Sequence, residues 1–545
     1  MDNQQKLDGV QYAKMIKAGT ENLRAHAKDI NDLNVFPIPD GDTGDNMLMT
    51  IVGGADAVGS GSESLSDTVR KNADGMLLSA RGNSGVILSQ FFEGIAAGFE
   101  GVETAGSAEI IKALQCGVEH AYNAVMVPTE GTILTVMRSA TESLEEEHHD
   151  DPEKVLDTFI EEAKKTLEKT PDMLPVLKKA GVVDSGGAGL IYIMEGMLKG
   201  LRGEEIGEYV PEKRSGEAEI NVDLFTEDSV LEFGYCTELL VRLQRIKTDV
   251  ESFEVRTITD YLSTIGDSVV AVKNGSVVKI HVHTMTPHKV LEFCQQYGEF
   301  LKLKIENMSL QHNNKDLPAP EKEEMLPHSD FGVVAVCSGE GIKELFCDTC
   351  EGVVIVDGGQ SMNPSAEDML AAYKKVNADT VFVFPNNSNI ILTARQAAAM
   401  CKECDVRVIE SKTVGDGYAA LSMLDTGSGD ADLMEEELKE AMSGSLTAEI
   451  SKSVRDTEDT NAGEYIGFVG KDILVSHPSR YEAVCITVDK LGFENYDICL
   501  LIVGKDACED EAQEIERYIN SKYRGKEVYI INGKQEIYDY ILILE

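Results

Sequence analysis

Four short loops of glycine and oxygen-bearing side chains punctuate residues 1–202, and each precedes a helical run. They are Asp40-Gly41-Asp42-Thr43-Gly44-Asp45-Asn46, Ser79-Ala80-Arg81-Gly82-Asn83-Ser84-Gly85, Glu130-Gly131-Thr132-Ile133 and Asp184-Ser185-Gly186-Gly187-Ala188-Gly189. A helix start carries unpaired backbone N–H groups and the positive end of the helix dipole, so small residues there leave room for an anion. Taken singly, each loop also reads as a turn or a helix cap. Spaced through one helical region, all four could gather at one end of a bundle and form a single site.

The helical reading rests on periodicity. Leu23, Ala27 and Ile30 fall at i, i+4 and i+7, and Ile111, Leu114, Val118, Ala121 and Val125 alternate steps of three and four. Both patterns mark one buried helix face. At 545 residues the chain is too long for one ordinary core. The pattern fades over 203–222, read as a linker. Residues 223–312 turn strand-like: Ser268–Lys273 and Val277–His283 flank Asn274-Gly275, a strong hairpin signal. This middle unit is expected to be α+β. Residues 313–330 are polar, acidic and proline-rich, a second linker across which the domains are expected to move. In 331–545, apolar runs at Gly332–Val336, Val353–Val356 and Val381–Pro385 alternate with helical stretches, as in a buried parallel sheet. Ile498–Val503 and Val528–Ile531 suggest a second α/β half, and with it a weak duplication.

A formal net charge of −45 repels nucleic-acid phosphates and anionic lipid, so neither is an expected partner. A cation or a partner with a basic face fits better. The N-terminus has no apolar leader and no stretch is long enough to span a bilayer, so direct membrane insertion is not expected. The 11 scattered cysteines suit reduced thiols and a cytoplasmic location.

In the first loop, Asp40 and Asp42 flank a glycine and can turn toward one point, as a Mg²⁺ site needs. Thr43, Gly44 and Asn46 could offer donors to phosphate where a helix begins. The plain alternative is an acidic turn. An EF-hand is excluded by the missing twelve-residue pattern. No GxxxxGK[ST] loop occurs, nor an HRD–DFG pair, which disfavours the common phosphate-binding folds. Cys236 and the pair His281 and His283 offer three ligands suited to Zn²⁺, the histidines sharing one face of a strand; surface histidines on an edge strand are the alternative. Two CxxC pairs, Cys347/Cys350 and Cys401/Cys404, would make a four-thiolate site if their helices lay side by side. Ordinary thiols are the other reading.

NVFPIPDGDTGDNM, ARGNSGVILSQ, EGTILTV and VVDSGGAGL resemble, in order and combination, the motifs of the Dak2 or DhaL-type nucleotide domain over about residues 5–200. With NVFP ahead of DGDTG and two further regions behind, the chain resembles the catalytic subunit of fatty acid kinases, the FakA family. The resemblance implies a multidomain fold: an all-α helical barrel, an α+β middle domain and an α/β DegV-like C-terminal domain. It implies ATP and two Mg²⁺, with Asp40 and Asp42 as metal ligands and Asn34 assisting. Thr43, Gly44, Asn46, Asn83, Ser84, Gly85 and Thr132 would line the nucleotide, and Asp184 with the glycines after it would close the pocket. Asp45 replaces a small or hydroxyl residue and is expected to cap the helix. Arg81 either stabilises charge on the transferred phosphate or forms a structural ion pair. GYCTE and HVH match the family's middle region, which favours zinc at Cys236, His281 and His283. GGQSMNP at 358–364 and FPNN at 384–387 match its C-terminal region, which implies docking of a DegV-family carrier that holds the fatty acid. The family acts as a homodimer. The implied activity is ATP-dependent phosphorylation of a fatty acid carboxylate. The alternatives are a dihydroxyacetone-type small-molecule kinase and a nucleotide-sensing scaffold without turnover.

Overall fold

The structure is a computed structural model that describes residues 6–33, 38, 41–145, 149–204, 235–250, 252–262, 264–274, 276–307, 325–359, 362–424 and 429–545. It divides into two compact units: Met1–Glu212 together with Met325–Glu545, and Lys213–Glu324.

The first unit opens with helices α1 (Gly9–Asn31), α2 (Thr43–Val58), α3 (Leu65–Ser79), α4 (Gly82–Gly98), α5 (Ser107–Asn123), α6 (Ile133–Glu142), α7 (Pro152–Met173), α8 (Pro175–Ala180) and α9 (Ser185–Arg202). From α1 to α7 each packs on the next, α7 packs on α9, and α9 returns to α1, closing a ring. Local chemistry sets the starts: Asp8 and Gln11 form a capping box on α1, Ser64 caps α3, and Asp151 caps α7 ahead of Pro152. The inward faces share one core that includes Ile16, Leu23, Ile51, Phe91, Phe159 and Leu190. Leu23, Ala27 and Ile30 are buried as their spacing predicts. On α5 the buried face is Ile110, Ala113, Leu114, Gly117 and Ala121: Leu114 and Ala121 belong to the expected stripe, while Ile110 and Gly117 take the places expected of Ile111 and Val118. Small residues there let α4 come close, and Ile111 and Val118 sit at the flank of the contact.

The second unit has strands β1 (Tyr235–Leu243), β2 (Gly266–Asn274), β3 (Val277–Thr284) and β4 (Gly298–Asn307), with helices α10 (Arg256–Leu262) and α11 (Pro287–Gln295). The sheet order is β2-β3-β1-β4, all antiparallel, and the expected hairpin is β2–β3. Thr237, Leu239 and Val241 on β1 and Val278, Ile280 and Val282 on β3 are buried, so one face of the sheet carries this unit's core.

The rest of the first unit begins with β5 (Ser329–Cys337), which starts inside the segment read as a linker. The helices α12 (Glu340–Thr349), α13 (Ala366–Val376) and α14 (Ile391–Met400) connect it to β6 (Val354–Asp357), β7 (Ala378–Phe384) and β8 (Asp405–Val408). The order β6-β5-β7-β8 is parallel throughout, as the apolar runs suggested. Helices α15 (Val414–Ser422) and α16 (Ala431–Gly444) lead to a second sheet: β9 (Leu446–Lys452), β10 (Tyr465–Val469), β11 (Asp472–His477), β12 (Ile498–Val503), β13 (Glu527–Asn532) and β14 (Tyr538–Leu544). Helices α17 (Arg480–Lys490) and α18 (Glu509–Lys522) pack together beside it. Its order is β11-β10-β9-β14-β12-β13, and only β12–β13 is parallel. The two sheets therefore differ in topology, and no duplication is visible among the described residues.

The strand order also separates the CxxC pairs. Cys347 and Cys350 end α12 ahead of β6, and Cys401 and Cys404 follow α14 ahead of β8, at opposite edges of the four-stranded sheet. Phe346 and Cys350 pack in one core cluster, Cys401 and Cys404 in another. A four-thiolate site is thus ruled out. Cys401 and Cys404 face each other alone, Sγ to Sγ at 3.4 Å, and burial is the main cause pushing the Cys404 thiol up to about 12.

Candidate functional site

The acidic loop delivers Asp42 to the start of α2 as its N-cap residue, yet the side chain makes no capping bond. Its carboxylate turns toward the segment around Asn363 instead. Oδ2 accepts from Nδ2 of Asn363 at 2.6 Å, and the same amide group lies 3.3 Å from Oδ1 of Asn46. Burial pushes the Asp42 carboxyl up to about 6, while the amides of Asn46 and Asn363 oppose the rise and nearby Asp45 adds to it. Asp45 does not cap the helix. It lies in the first turn, where Asn31 Nδ2 donates to its Oδ2 at 2.9 Å, because the cap position falls at Asp42. The Gly44 N–H donates to Asn31 Oδ1 at 2.7 Å, tying α2 to the end of α1. Asn34 and Asp40 lie outside the described residues.

The second loop starts α4 earlier than its sequence suggested, with Arg81 at the cap and Gly82 at the first helical position. Gly82, Asn83 and Ser84 therefore carry first-turn N–H groups, the ones a helix leaves for an outside acceptor. Gly82 has φ +55°, and a Cβ there would meet Asn46 Nδ2 at 2.6 Å, so only glycine brings α4 this close to α2. The Gly85 N–H donates to Arg81 O at 3.1 Å, and the Arg81 N–H to Thr50 Oγ1 on α2 at 3.4 Å. The Arg81 guanidinium is occupied: Nη1 donates to Asn363 O at 2.7 Å, and Nη2 lies 3.7 Å from Asp368. In this state it serves the structural role.

The remaining loops complete the cluster. Thr132 precedes α6, its hydroxyl donating to Thr129 O at 2.8 Å. Asp184 caps α9: its carboxylate accepts from the Gly187 N–H at 2.7 Å and from the Ile133 N–H at the start of α6. Ser185 Oγ lies 3.3 Å from Thr43 Oγ1, joining α9 to α2. The starts of α4, α2, α9 and α6 thus meet in that order at one end of the ring. Four helix termini and a buried carboxylate suit a polyphosphate with its divalent cation, and the Asn83 Oδ1, buried without a partner, adds an acceptor.

Burial outweighs the two N–H donors at Asp184 and pushes its carboxyl up to about 6. A carboxyl harder to ionise in the fold than in the unfolded chain, where it titrates at about 3.9, stabilises fully below that value and loses the contribution as pH rises through about 6. Thermal denaturation should therefore show Tm falling across that window. Asp184→Asn keeps an acceptor without the charge and should flatten part of the slope. Asp184→Ala should lower Tm at every pH, by a cap worth about 1 kcal/mol. An unchanged slope in Asp184→Asn would contradict the assignment.

Sequence reasoning missed Asn363. Its motif reads as a docking loop at a strand end, whereas its side chain, 1% exposed, rests on Asp42 and Asn46. In the second unit, Cys236 pairs with His283 across β1 and β3, and Glu238 with His281. The register therefore brings the backbones of Cys236, His281 and His283 onto neighbouring strands. Their side chains lie outside the described set.

Residues 37–199 match the DAK2 domain, 232–315 the middle domain of FakA-like fatty acid kinase proteins, and 332–545 the C-terminal domain of the same proteins. Protein YloV of Bacillus subtilis (strain 168) is 38% identical over 554 residues, covering 99% of each chain. Two solved structures overlap in part. The dihydroxyacetone kinase from C. freundii in complex with AMP-PNP and Mg²⁺ has TM-score 0.28 and 19% identity, covering 36% of this chain and 35% of that one. DegV, a fatty acid binding protein from Bacillus subtilis, has TM-score 0.32 and 14% identity, covering 39% and 99%. With successive family models along it and a relative matched over nearly its full length, the chain belongs to the FakA-like family of fatty acid kinase proteins.

Proposed function

We propose that this protein is the ATP-dependent catalytic component of a fatty acid kinase, transferring the γ-phosphate to a fatty acid presented by a separate lipid carrier of the DegV family. The observation that carries the reading is the meeting of four helix starts, with Asp42 at that of α2 and Asp184 between those of α9 and α6, in a chain of this family. Asp42, with Asp40 and Asn34 beside it in sequence, would hold Mg²⁺, which neutralises phosphate charge when bound. The first-turn N–H groups of α2 and α4, with Thr43, Asn46, Asn83, Ser84, Gly85 and Thr132, would position the nucleotide. Asp184 fixes α6 and α9 so that their starts stay aimed at it. A fatty acid carboxylate is ionised at neutral pH and attacks without a general base. The protein's task is placement and charge neutralisation, as in phosphoryl transfer generally.

Cys236, His281 and His283 would hold Zn²⁺: they lie on paired strands, and a thiolate with two imidazoles fits that ion. A cytoplasmic homodimer is the expected form. Leu301, Leu303 and Ile305 alternate along edge strand β4 at 50%, 49% and 41% exposure, an apolar stripe suited to a second copy.

The test is acyl-phosphate formation from ATP and Mg²⁺ with an oleate-loaded carrier. Product should require both the carrier and this chain. ATP binding without product from any loaded carrier would instead favour the nucleotide-sensing scaffold.

A further inference from the structure

The nucleotide loops are covered by the chain's own C-terminal region. Asn363 sits on Asp42, and the Ala366 N–H donates to Ala80 O at 3.2 Å beside a backbone bridge between Arg81 and Ser365. Asn83 donates to Asn389 at 3.3 Å, and Gln396 on α14 donates to Leu77 O at 2.6 Å. Ile38, from the acidic loop, is 3% exposed within the same cluster as Phe382 and Ile541. Both phosphate-binding loops are thus held by one partner surface.

Mg²⁺ takes six oxygen ligands at about 2.1 Å. An amide N–H donor 2.6 Å from Asp42 Oδ2 stands where a cation on that oxygen, or one of its ligands, would lie. The acceptor carboxylate must reach the same centre. The contacts mix neutral hydrogen bonds with exposed charge pairs such as Arg81–Asp368 and Lys179–Asp459, and each contributes little net stability. A cavity of about 350 Å³ also remains between α4, α5 and α14, beside Gln90, His120 and Gln396. Polar, imperfectly filled surfaces of this kind characterise reversible contacts between domains.

Resting on the nucleotide site proposed above, we infer that the C-terminal region is an autoinhibitory cover: residues 363–366 and α14 lie over the phosphate-binding loops of the helical ring, and the loaded carrier opens those loops to nucleotide by displacing them.

The test uses the full chain, a fluorescent ATP analogue and Mg²⁺. Two variants act on separate contacts: Asn363→Ala, and the pair Asn389→Ala with Gln396→Ala. Each should raise the association rate of the analogue about tenfold, the expected result of losing a few such hydrogen bonds. Each should also speed amide exchange at 80–83 and 365–366, and loaded carrier should speed that exchange in the unmodified chain. Equal or slower association in both variants overturns the cover while leaving the nucleotide site standing. An unmodified chain that binds no analogue with Mg²⁺ refutes the site itself, and the cover with it.

Discussion

Asp42→Asn is expected to lower acyl-phosphate formation about 10³-fold, since a catalytic metal supplies several kcal/mol and each 1.4 kcal/mol is about tenfold. The substitution keeps the shape of the side chain and an acceptor for the Asn363 amide. It removes a charge that burial makes costly, so Tm near pH 7 should hold or rise. Activity should therefore fall with no loss of stability, which a merely structural role would not produce. Excess Mg²⁺ should restore little, because the lost group is the ligand. Activity within a few fold of the parent chain would show that Asp42 does not hold the metal.

Gly44→Ala should be the more disruptive change to the fold. A Cβ at this position would lie 2.2 Å from the Ala27 carbonyl oxygen and 2.9 Å from Asn31 Oδ1. The first of these is backbone of α1, which cannot turn aside as a side chain could. Helices α1 and α2 must part, and overpacking of this kind costs about 1–3 kcal/mol. The Gly44–Asn31 hydrogen bond goes with it, and Asp42 shifts as α2 moves. Tm should fall by several degrees and affinity for the ATP analogue by about tenfold or more. Gly444→Ala is the control: it ends α16 with open space around it, and should be neutral or slightly stabilising. Equal effects at both positions would mean that the α1–α2 crossing is not as close as described.

The four small-residue loops at helix starts were legible because their chemistry is local. Glycine and oxygen-bearing residues at a helix start announce themselves within a few positions, and this alone suggested that the loops meet at one end of the ring. The hairpin and the parallel strands were legible for the same reason. What escaped the sequence depends on distant partners. Asn363 is 321 positions from Asp42, and Gln396 is 319 from Leu77. No periodicity connects them. The buried stripe of α5 was legible at Leu114 and Ala121 but missed Gly117, because apolar spacing ignores glycine though Gly117 lies in the contact. Asp45 was misread because the sequence does not show on which residue α2 begins, and a shift of three positions, less than one turn, decides which carboxylate is the cap. The CxxC pairs looked like one cluster because strand order, which places them at opposite edges, is a property of the assembled sheet.

The 321-residue separation behind the Asp42–Asn363 contact also has a meaning in time. The ring has a core of its own, drawn from residues 7–201, and can condense as soon as they leave the ribosome. The ring closes only with α9, which ends at Arg202, and at about 5–20 residues per second Asn363 follows that point by roughly ten to thirty seconds. During that interval the nascent ring presents its helix starts uncovered to the cell's nucleotide pool. The first occupant of the site can be nucleotide, with the C-terminal region closing later over a ring that has already folded.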